Sequence, residues 1–160
     1  MSDFPSPSLD TDPYQFAENV GYLVTRVNSI LMNLTTHRTL AEFDITSAQG
    51  RTLFMVASGR GVQATGLARE LGIDASAVTR LIDRLAQRGL LTRERSIEDR
   101  RVVHFALTPE GRLVAARMPA IFLEVLERLL AGFSPEEVGF LKSMLRRMLA
   151  NPTHLADEKS

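Results

Sequence analysis

The 160-residue sequence contains no cysteine, which excludes disulfides, cysteine-ligated zinc sites and thiol-based oxidant sensing by this chain. It also lacks an apolar run of the roughly 18 residues that a membrane span needs, and it does not begin with the basic and apolar regions of a signal peptide. We therefore expect a soluble, cytoplasmic protein with no membrane partner. The length suits one domain that buries its core without a metal ion or cofactor.

Sequence patterns of common enzyme classes are missing as well. There is no HExxH, GxxxxGK[ST], GxGxxG or GxSxG motif, so the chain lacks the usual signatures of zinc hydrolysis, phosphate transfer, dinucleotide binding and serine hydrolysis. The three histidines, His37, His104 and His154, are far apart in the sequence. We predict that the protein is not an enzyme and has neither a catalytic nor a metal site.

The formal net charge is zero, but the positive charge is concentrated in one segment. Residues 80–101 hold seven arginines and four acidic residues. Arginine forks suit phosphate groups and guanine edges, so this local excess is compatible with a nucleic-acid partner. For the number of arginines alone, the alternative explanation is the base composition of the genome, which can favour arginine codons.

Hydrophobic spacing and capping signals predict mainly helix, in the order α-α-α-α-β-β-α-α. A long amphipathic helix is expected from Tyr14 to about Phe43, after a mobile tail over residues 1–12. Thr46 begins the second helix with a capping box. A short third helix over about 64–71 ends at Gly72, and Asp74 caps a fourth helix that Gly89 closes. Strands over about 90–95 and 102–107 form a β-hairpin.

Two apolar helices complete the chain. Thr108-Pro109-Glu110 is a strong helix-start signal, and the helix is expected to extend to about Ala131 with a kink at Pro119. Ser134-Pro135-Glu136-Glu137 begins the last helix, which Asn151-Pro152 is expected to end.

The third and fourth helices, joined by a tight turn, are typical of a helix-turn-helix, whose second helix enters the major groove of DNA. With Val78, Leu81, Ile82 and Leu85 facing inward, the outward face of the fourth helix carries Ser76, Thr79, Arg80 and Arg84. The hairpin then forms an arginine-bearing wing that can reach the minor groove. Asp99 is placed to hold the Arg101 guanidinium extended. An ordinary solvated helix and a plain polar turn are the alternatives.

The segment 63–111 resembles MarR-type regulators in several motifs. Asp74-Ala75-Ser76-Ala77-Val78-Thr79-Arg80 is similar to the start of their recognition helix, and Arg88-Gly89-Leu90-Leu91 to the residues that follow it. The family's wing signature is matched by Asp99, Arg101, Leu107 and Thr108. The resemblance implies a winged helix-turn-helix with a helical dimerisation region.

It also implies that the protein binds double-stranded DNA as a homodimer on a pseudo-palindromic operator, as a repressor under the control of a ligand. By this resemblance Ser76, Thr79, Arg80 and Arg84 contact bases and phosphates, and Arg101 enters the minor groove. Arg93 and Arg95 meet phosphates. Gln63 and Thr65 are weaker phosphate candidates, because Gln63 stands where the family usually has Ser or Thr.

The resemblance assigns residues 13–45 and 109–151 to the dimerisation region and residues 46–108 to the DNA-binding domain. Packing of the apolar terminal helices within one subunit is the alternative to a dimer. Relatives release DNA when a small aromatic or anionic effector binds near the DNA-binding lobe, and such a pocket would be bordered by His37, Arg38, Arg51 and Phe54. A winged helix that binds only proteins remains the alternative function.

Overall fold

The computed structural model describes residues 18–61, 63–97 and 101–157, with side chains as far as residue 151. Within these ranges, six helices and one hairpin follow one another in the order expected from the sequence: α1 (Val20–Phe43), α2 (Ser47–Ala57), α3 (Ala64–Leu71), α4 (Ala75–Gln87), β1 (Leu91–Arg95), β2 (Val103–Leu107), α5 (Pro109–Leu129) and α6 (Pro135–Asp157). One compact unit extends to Val125 and a second begins at Leu126.

The helix starts predicted from capping residues in the middle of the chain are confirmed. The Thr46 hydroxyl accepts from the Gln49 amide, and the Gln49 side chain accepts from the Thr46 amide, which satisfies two otherwise unpaired donors of α2. Gly72 ends α3 in the left-handed conformation, with φ at 65°, and Asp74 caps α4. Gln63 gives α3 no side-chain cap.

Two predicted helix boundaries are wrong. Helix α1 begins at Val20 rather than Tyr14, because the Asn19 side chain accepts from the Gly21 amide and starts the helix there; residues 14–17 lie outside the described part of the chain. Helix α6 continues through Pro152 to Asp157. Proline removes only its own hydrogen bond to the carbonyl of Met148, and that residue is exposed, so water can satisfy the carbonyl.

The core of the first unit lies between the helix-turn-helix and the hairpin. It is built from buried side chains of every element from α2 to α5, with Leu53, Leu67, Ile82 and Met118 among the fully buried ones. The hairpin is a two-stranded antiparallel sheet in which Leu91 is paired with Leu107, and both are buried. The fold is therefore mainly helical with one small β-hairpin.

Helix α5 begins against the turn that follows α4. The Thr108 hydroxyl donates to the Gly89 carbonyl at 2.7 Å and accepts from the Gly111 amide at 3.0 Å. A Cβ on Gly111 would lie 1.8 Å from the Leu90 carbonyl oxygen. The start of α5 is thus packed on the base of the hairpin, and only glycine permits the approach.

The second unit consists of the end of α5 and of α6. Its helix α6 starts with the predicted capping box, in which Ser134 and Glu137 bond to each other's amides. No side chain of α6 is buried among those described. In the described part of the chain, no helix combines the length and apolar content that a membrane span requires.

Candidate nucleic-acid interface

Helix α4 presents one polar face to solvent. Val78, Ile82 and Leu85 are buried, Leu81 is half-buried, and the four predicted contact residues are exposed: Ser76, Thr79, Arg80 and Arg84. The helical spacing of the buried positions forces these four onto the opposite side. The predicted recognition surface is therefore accessible to a large partner.

The first turn of α4 holds a chain of side-chain hydrogen bonds. Asp74 Oδ1 accepts from the Ala77 amide at 2.8 Å and from Ser76 Oγ at 2.6 Å. Ser76 Oγ in turn accepts from Arg80 Nη1 at 3.2 Å. The Ser76 hydroxyl, followed by the backbone amides, lowers the pKa of the Asp74 carboxyl, because these donors favour the charged form.

The other two contact residues of α4 differ in their surroundings. The Thr79 hydroxyl donates to the Ala75 carbonyl at 3.0 Å, so its oxygen remains able to accept. Arg84 forms no ion pair with any residue that the structure describes. Its guanidinium is therefore available to a phosphate or a base.

Arg93 and Arg95 lie on the face of β1 that also carries the buried Leu91, because alternate residues of a strand share a face. Both arginines are exposed. Arg93 Nη2 donates to Asp83 Oδ1 of α4 at 2.6 Å, so Arg93 links the hairpin to the recognition helix. Arg101 is exposed in the turn just before β2. Asp99, predicted to hold Arg101, lies outside the described residues.

Not every arginine of the basic segment faces a possible partner. Arg88 turns to the end of α1, where it donates to the carbonyl oxygens of Phe43 and Asp44 and to the Asp44 carboxylate. This cation serves the packing of α4 on α1. The charge available to DNA is accordingly smaller than the count of arginines indicates.

A shallow groove brings α3 and the hairpin together. Its volume is about 320 Å³. It is lined by three residues predicted to contact DNA, Gln63, Thr65 and Arg101, together with Val103 and Phe105. An adjoining groove of about 270 Å³ is lined by Gln63, Thr65 and Gly66 together with Arg60 and Arg69. Neither of these two arginines is among the contact residues predicted from the sequence. Helical spacing places Arg69 on the exposed side of α3, and this could have identified it as a contact residue. Arg60 lies in a loop, where helical spacing gives no such indication.

The four residues predicted to border an effector pocket have no common partner among the described residues. His37 is exposed. Arg51 Nη1 lies 3.7 Å from the Met32 sulfur, and Phe54 packs under Arg60, whose guanidinium carbon lies 5.9 Å from the ring centroid. The assignment of these residues to a pocket stays a prediction.

Arg38, the fourth of these residues, belongs to a charge network between α1 and α5. Glu124 accepts from Arg38 and, at 3.0 Å, from Arg117, and Arg117 also donates to Glu42 at 2.9 Å. The hydrogen bond from Arg38, and then that from Arg117, lowers the pKa of Glu124. An anionic ligand at Arg38 would have to compete with this carboxylate.

Comparison with known proteins gives a consistent result. Residues 43–102, from the end of α1 to the residue before β2, match the model of the MarR family.

Among the described residues, no group of three or more His, Cys, Asp or Glu could hold a metal ion.

Solved structures with the same fold include two complexes with DNA. A cysteine-to-serine mutant of MarR from E. coli, complexed with operator DNA, is 26% identical and has a TM-score of 0.76, over 87% of this chain and 99% of that one. The MepR–DNA complex from S. aureus is 27% identical with a TM-score of 0.72, over 82% of this chain and 96% of that one.

A third relative is BpsR from Bordetella bronchiseptica, described with the regulation of its DNA binding by 6-hydroxynicotinic acid. It is 28% identical with a TM-score of 0.73, over 85% of this chain and 96% of that one. The family match falls on the helix-turn-helix and the first strand of the wing, and the structural matches cover most of the chain. Residues 43–102 thus match the MarR family, and the chain as a whole has the fold of the winged-helix, DNA-binding transcriptional regulators of that family.

Proposed function

We propose that the protein is a cytoplasmic repressor that binds a pseudo-palindromic operator as a homodimer and responds to a small aromatic or anionic effector. The observation that carries the DNA-binding part is the exposed polar face of α4. It combines small polar side chains near the start of the helix with arginines further along. Such a face can approach a major groove closely and donate hydrogen bonds to base edges.

The arginines outside α4 extend the basic surface. Arg93, Arg95 and Arg101 are exposed on the hairpin, where phosphate and minor-groove contacts would flank the major-groove contact of α4. Arg60 and Arg69 add positive charge beside Gln63 and Thr65. Phosphate contacts from these side chains would fix the position of the protein on the duplex, while α4 reads the sequence.

A second copy of the chain is proposed to cover apolar side chains that one copy leaves in water. In the first unit, Val20, Leu23, Val24 and Val27 of α1 are exposed. In the second unit, α6 exposes Phe140, Met144, Leu145, Met148 and Leu149. Apolar surface of this extent is typical of an interface, and a two-fold dimer would present two recognition helices to successive major grooves.

The effector part of the proposal is supported by the relative BpsR, whose DNA binding is regulated by 6-hydroxynicotinic acid. That compound is both aromatic and acidic, which is the class of effector that the family resemblance implies. Arg38 and Arg51 are cations on α1 and α2 that an anion of this class could contact. An effector that binds Arg38 would compete with Glu124 for the guanidinium.

The salt dependence of DNA binding tests the proposed function. Affinity for a random duplex should fall by about a thousandfold or more between roughly 50 and 200 mM salt if six or more phosphates are contacted. Arg84→Gln should reduce the slope of log affinity against log salt by about 0.9 for each phosphate that the variant no longer neutralises. Arg128→Gln, on the exposed end of α5, is the matched control and should leave the slope unchanged.

A flat salt dependence would contradict the proposal. It would instead favour a winged helix that binds only proteins, since such a module has no counterions of DNA to release.

A further inference from the structure

We propose that Asp74 and Ser76 fix the direction of the Arg80 guanidinium before DNA is bound, so that Asp74 determines base discrimination without touching DNA. The three residues are called the Asp74–Ser76–Arg80 relay below. Asp74 and Ser76 are positioning residues in this scheme, and Arg80 is the residue that reads the base. The inference rests on the proposed DNA-binding function.

The first step concerns the Asp74 carboxylate. One of its oxygens, Oδ1, accepts both the Ala77 amide and the Ser76 hydroxyl. The amide belongs to the first turn of α4, so the carboxylate is fixed to the helix backbone and not merely to another mobile side chain. The same donors lower the pKa of Asp74, because they stabilise its charged form.

The second step concerns the single proton of Ser76. That proton is donated to Asp74 at 2.6 Å, and the Ser76 oxygen is left to accept from Arg80 Nη1 at 3.2 Å. A hydroxyl that donates to a carboxylate becomes a better acceptor, because neighbouring hydrogen bonds polarise one another. Ser76 therefore acts in this arrangement as an acceptor for Arg80 and not as a donor to a base.

The third step concerns the N–H donors that Arg80 keeps for DNA. A guanidinium has five N–H donors in a planar fork, and Ser76 occupies one of them. The remaining donors can still bond the acceptor pair on a guanine edge. Holding one edge of the fork reduces the side-chain freedom that Arg80 must lose on binding. Arg84, one turn further along α4, has no ion-pair partner among the described residues.

A double-mutant cycle tests the relay. A duplex selected by the parent protein from a randomised library serves as the specific probe, and a scrambled duplex of the same composition as the nonspecific one. The preference is the ratio of the two affinities. Arg80→Ala should lower the preference by about tenfold or more, as expected when a bidentate base contact is removed. Ser76→Ala alone should lower it by about fivefold, the size of one exposed hydrogen bond.

The decisive comparison is between the effect of Ser76→Ala in the parent protein and its effect in the Arg80→Ala variant. If Ser76 acts through Arg80, the substitution should leave the preference of Arg80→Ala unchanged. The matched cycle uses Arg84→Ala, in which Ser76→Ala should again lower the preference about fivefold. An equal effect of Ser76→Ala in the parent and in Arg80→Ala would mean that Ser76 contacts DNA itself, and the inference would be wrong.

Asp74 is tested by a conservative pair. Asp74→Ala removes both the relay and the helix cap, whereas Asp74→Asn keeps an oxygen that can accept both bonds, and asparagine is an equally good N-cap. The preference should fall about fivefold in Asp74→Ala, as it does in Ser76→Ala, and should be largely restored in Asp74→Asn. If Asp74→Ala does not fold, the Ser76 cycle still decides, because those variants keep the cap. If the parent protein itself shows no salt-dependent binding to DNA, the proposed function is wrong.

Discussion

The exposed arginines of this protein differ in how many of their donors the protein itself already uses. Arg80 gives one donor to Ser76, and Arg93 gives one to Asp83. Arg88 is committed to the end of α1. A phosphate needs only charge and proximity, whereas a base edge needs a fork held in one direction. Of these three, Arg80 alone lies on the outward face of α4, so its bond to Ser76 suits it to base reading.

Arg101 carries the first prediction at this scale. Arg101→Ala should weaken binding to a selected operator and relax the preference at its outermost base pairs, because a narrow minor groove attracts arginine. Arg101→Lys keeps the charge but loses the planar fork, so it should restore affinity for random DNA more than the outer-base preference. Gel-shift titrations on operators varied at the outer positions measure both effects. Equal affinities of Arg101→Ala and the parent would contradict the wing assignment.

The secondary-structure elements show which features can be predicted from local sequence. Thr46, Gly72 and Asp74 act on atoms within a few residues of themselves, so their roles follow from the order of side chains along the chain. The helix through Pro152 does not follow the local rule, because one missing bond does not end a helix whose carbonyls reach water. Exposure of that kind depends on what packs nearby.

The features of the candidate site can likewise be separated into those that the local sequence predicts and those that it does not. The outward face of α4 follows from helical spacing alone. Contacts between distant segments do not, and they account for the features that the sequence did not predict. Arg38 meets Glu124 of α5, and Arg93 meets Asp83. Arg60 reaches the groove at α3 from a loop after α2. No spacing rule in the sequence identifies such partners.

The junction between the hairpin and α5 carries a prediction about stability. Gly111→Ala places a methyl group 1.8 Å from the backbone oxygen of Leu90, and backbone cannot yield as a side chain does. The free energy of unfolding should fall by about 1–3 kcal/mol or more, the usual cost of overpacking. Denaturant unfolding followed by circular dichroism measures this change.

Gly139→Ala is the matched control for Gly111→Ala. Its Cβ would meet nothing within 4 Å on α6, so the substitution should raise the free energy of unfolding by roughly 0.5–1 kcal/mol through helix propensity. Similar effects of the two substitutions would show that the approach of α5 to Leu90 is not a constraint on the fold.

At the scale of the whole molecule, the proposed homodimer would cover the exposed apolar side chains of α6. Phe140 is 70% exposed and Leu149 is 77% exposed, although the helix has apolar residues at repeated helical spacing. A regulator that reads two half-sites needs two recognition helices, and in the proposed homodimer the second copy would supply the other one. One contact between copies would thus both cover α6 and complete the DNA-binding unit.

Leu149→Glu tests this connection. Because the side chain is 77% exposed in one chain, the substitution should cost the isolated subunit little, but a buried charge in an interface is strongly unfavourable. We expect a shift from dimer to monomer in analytical ultracentrifugation and loss of operator binding at the same concentration. Ser143→Glu, at another exposed position of α6, is the control for added charge. A Leu149→Glu protein that remains dimeric would place the interface elsewhere, and one that is monomeric yet binds the operator with parental affinity would separate dimerisation from DNA recognition.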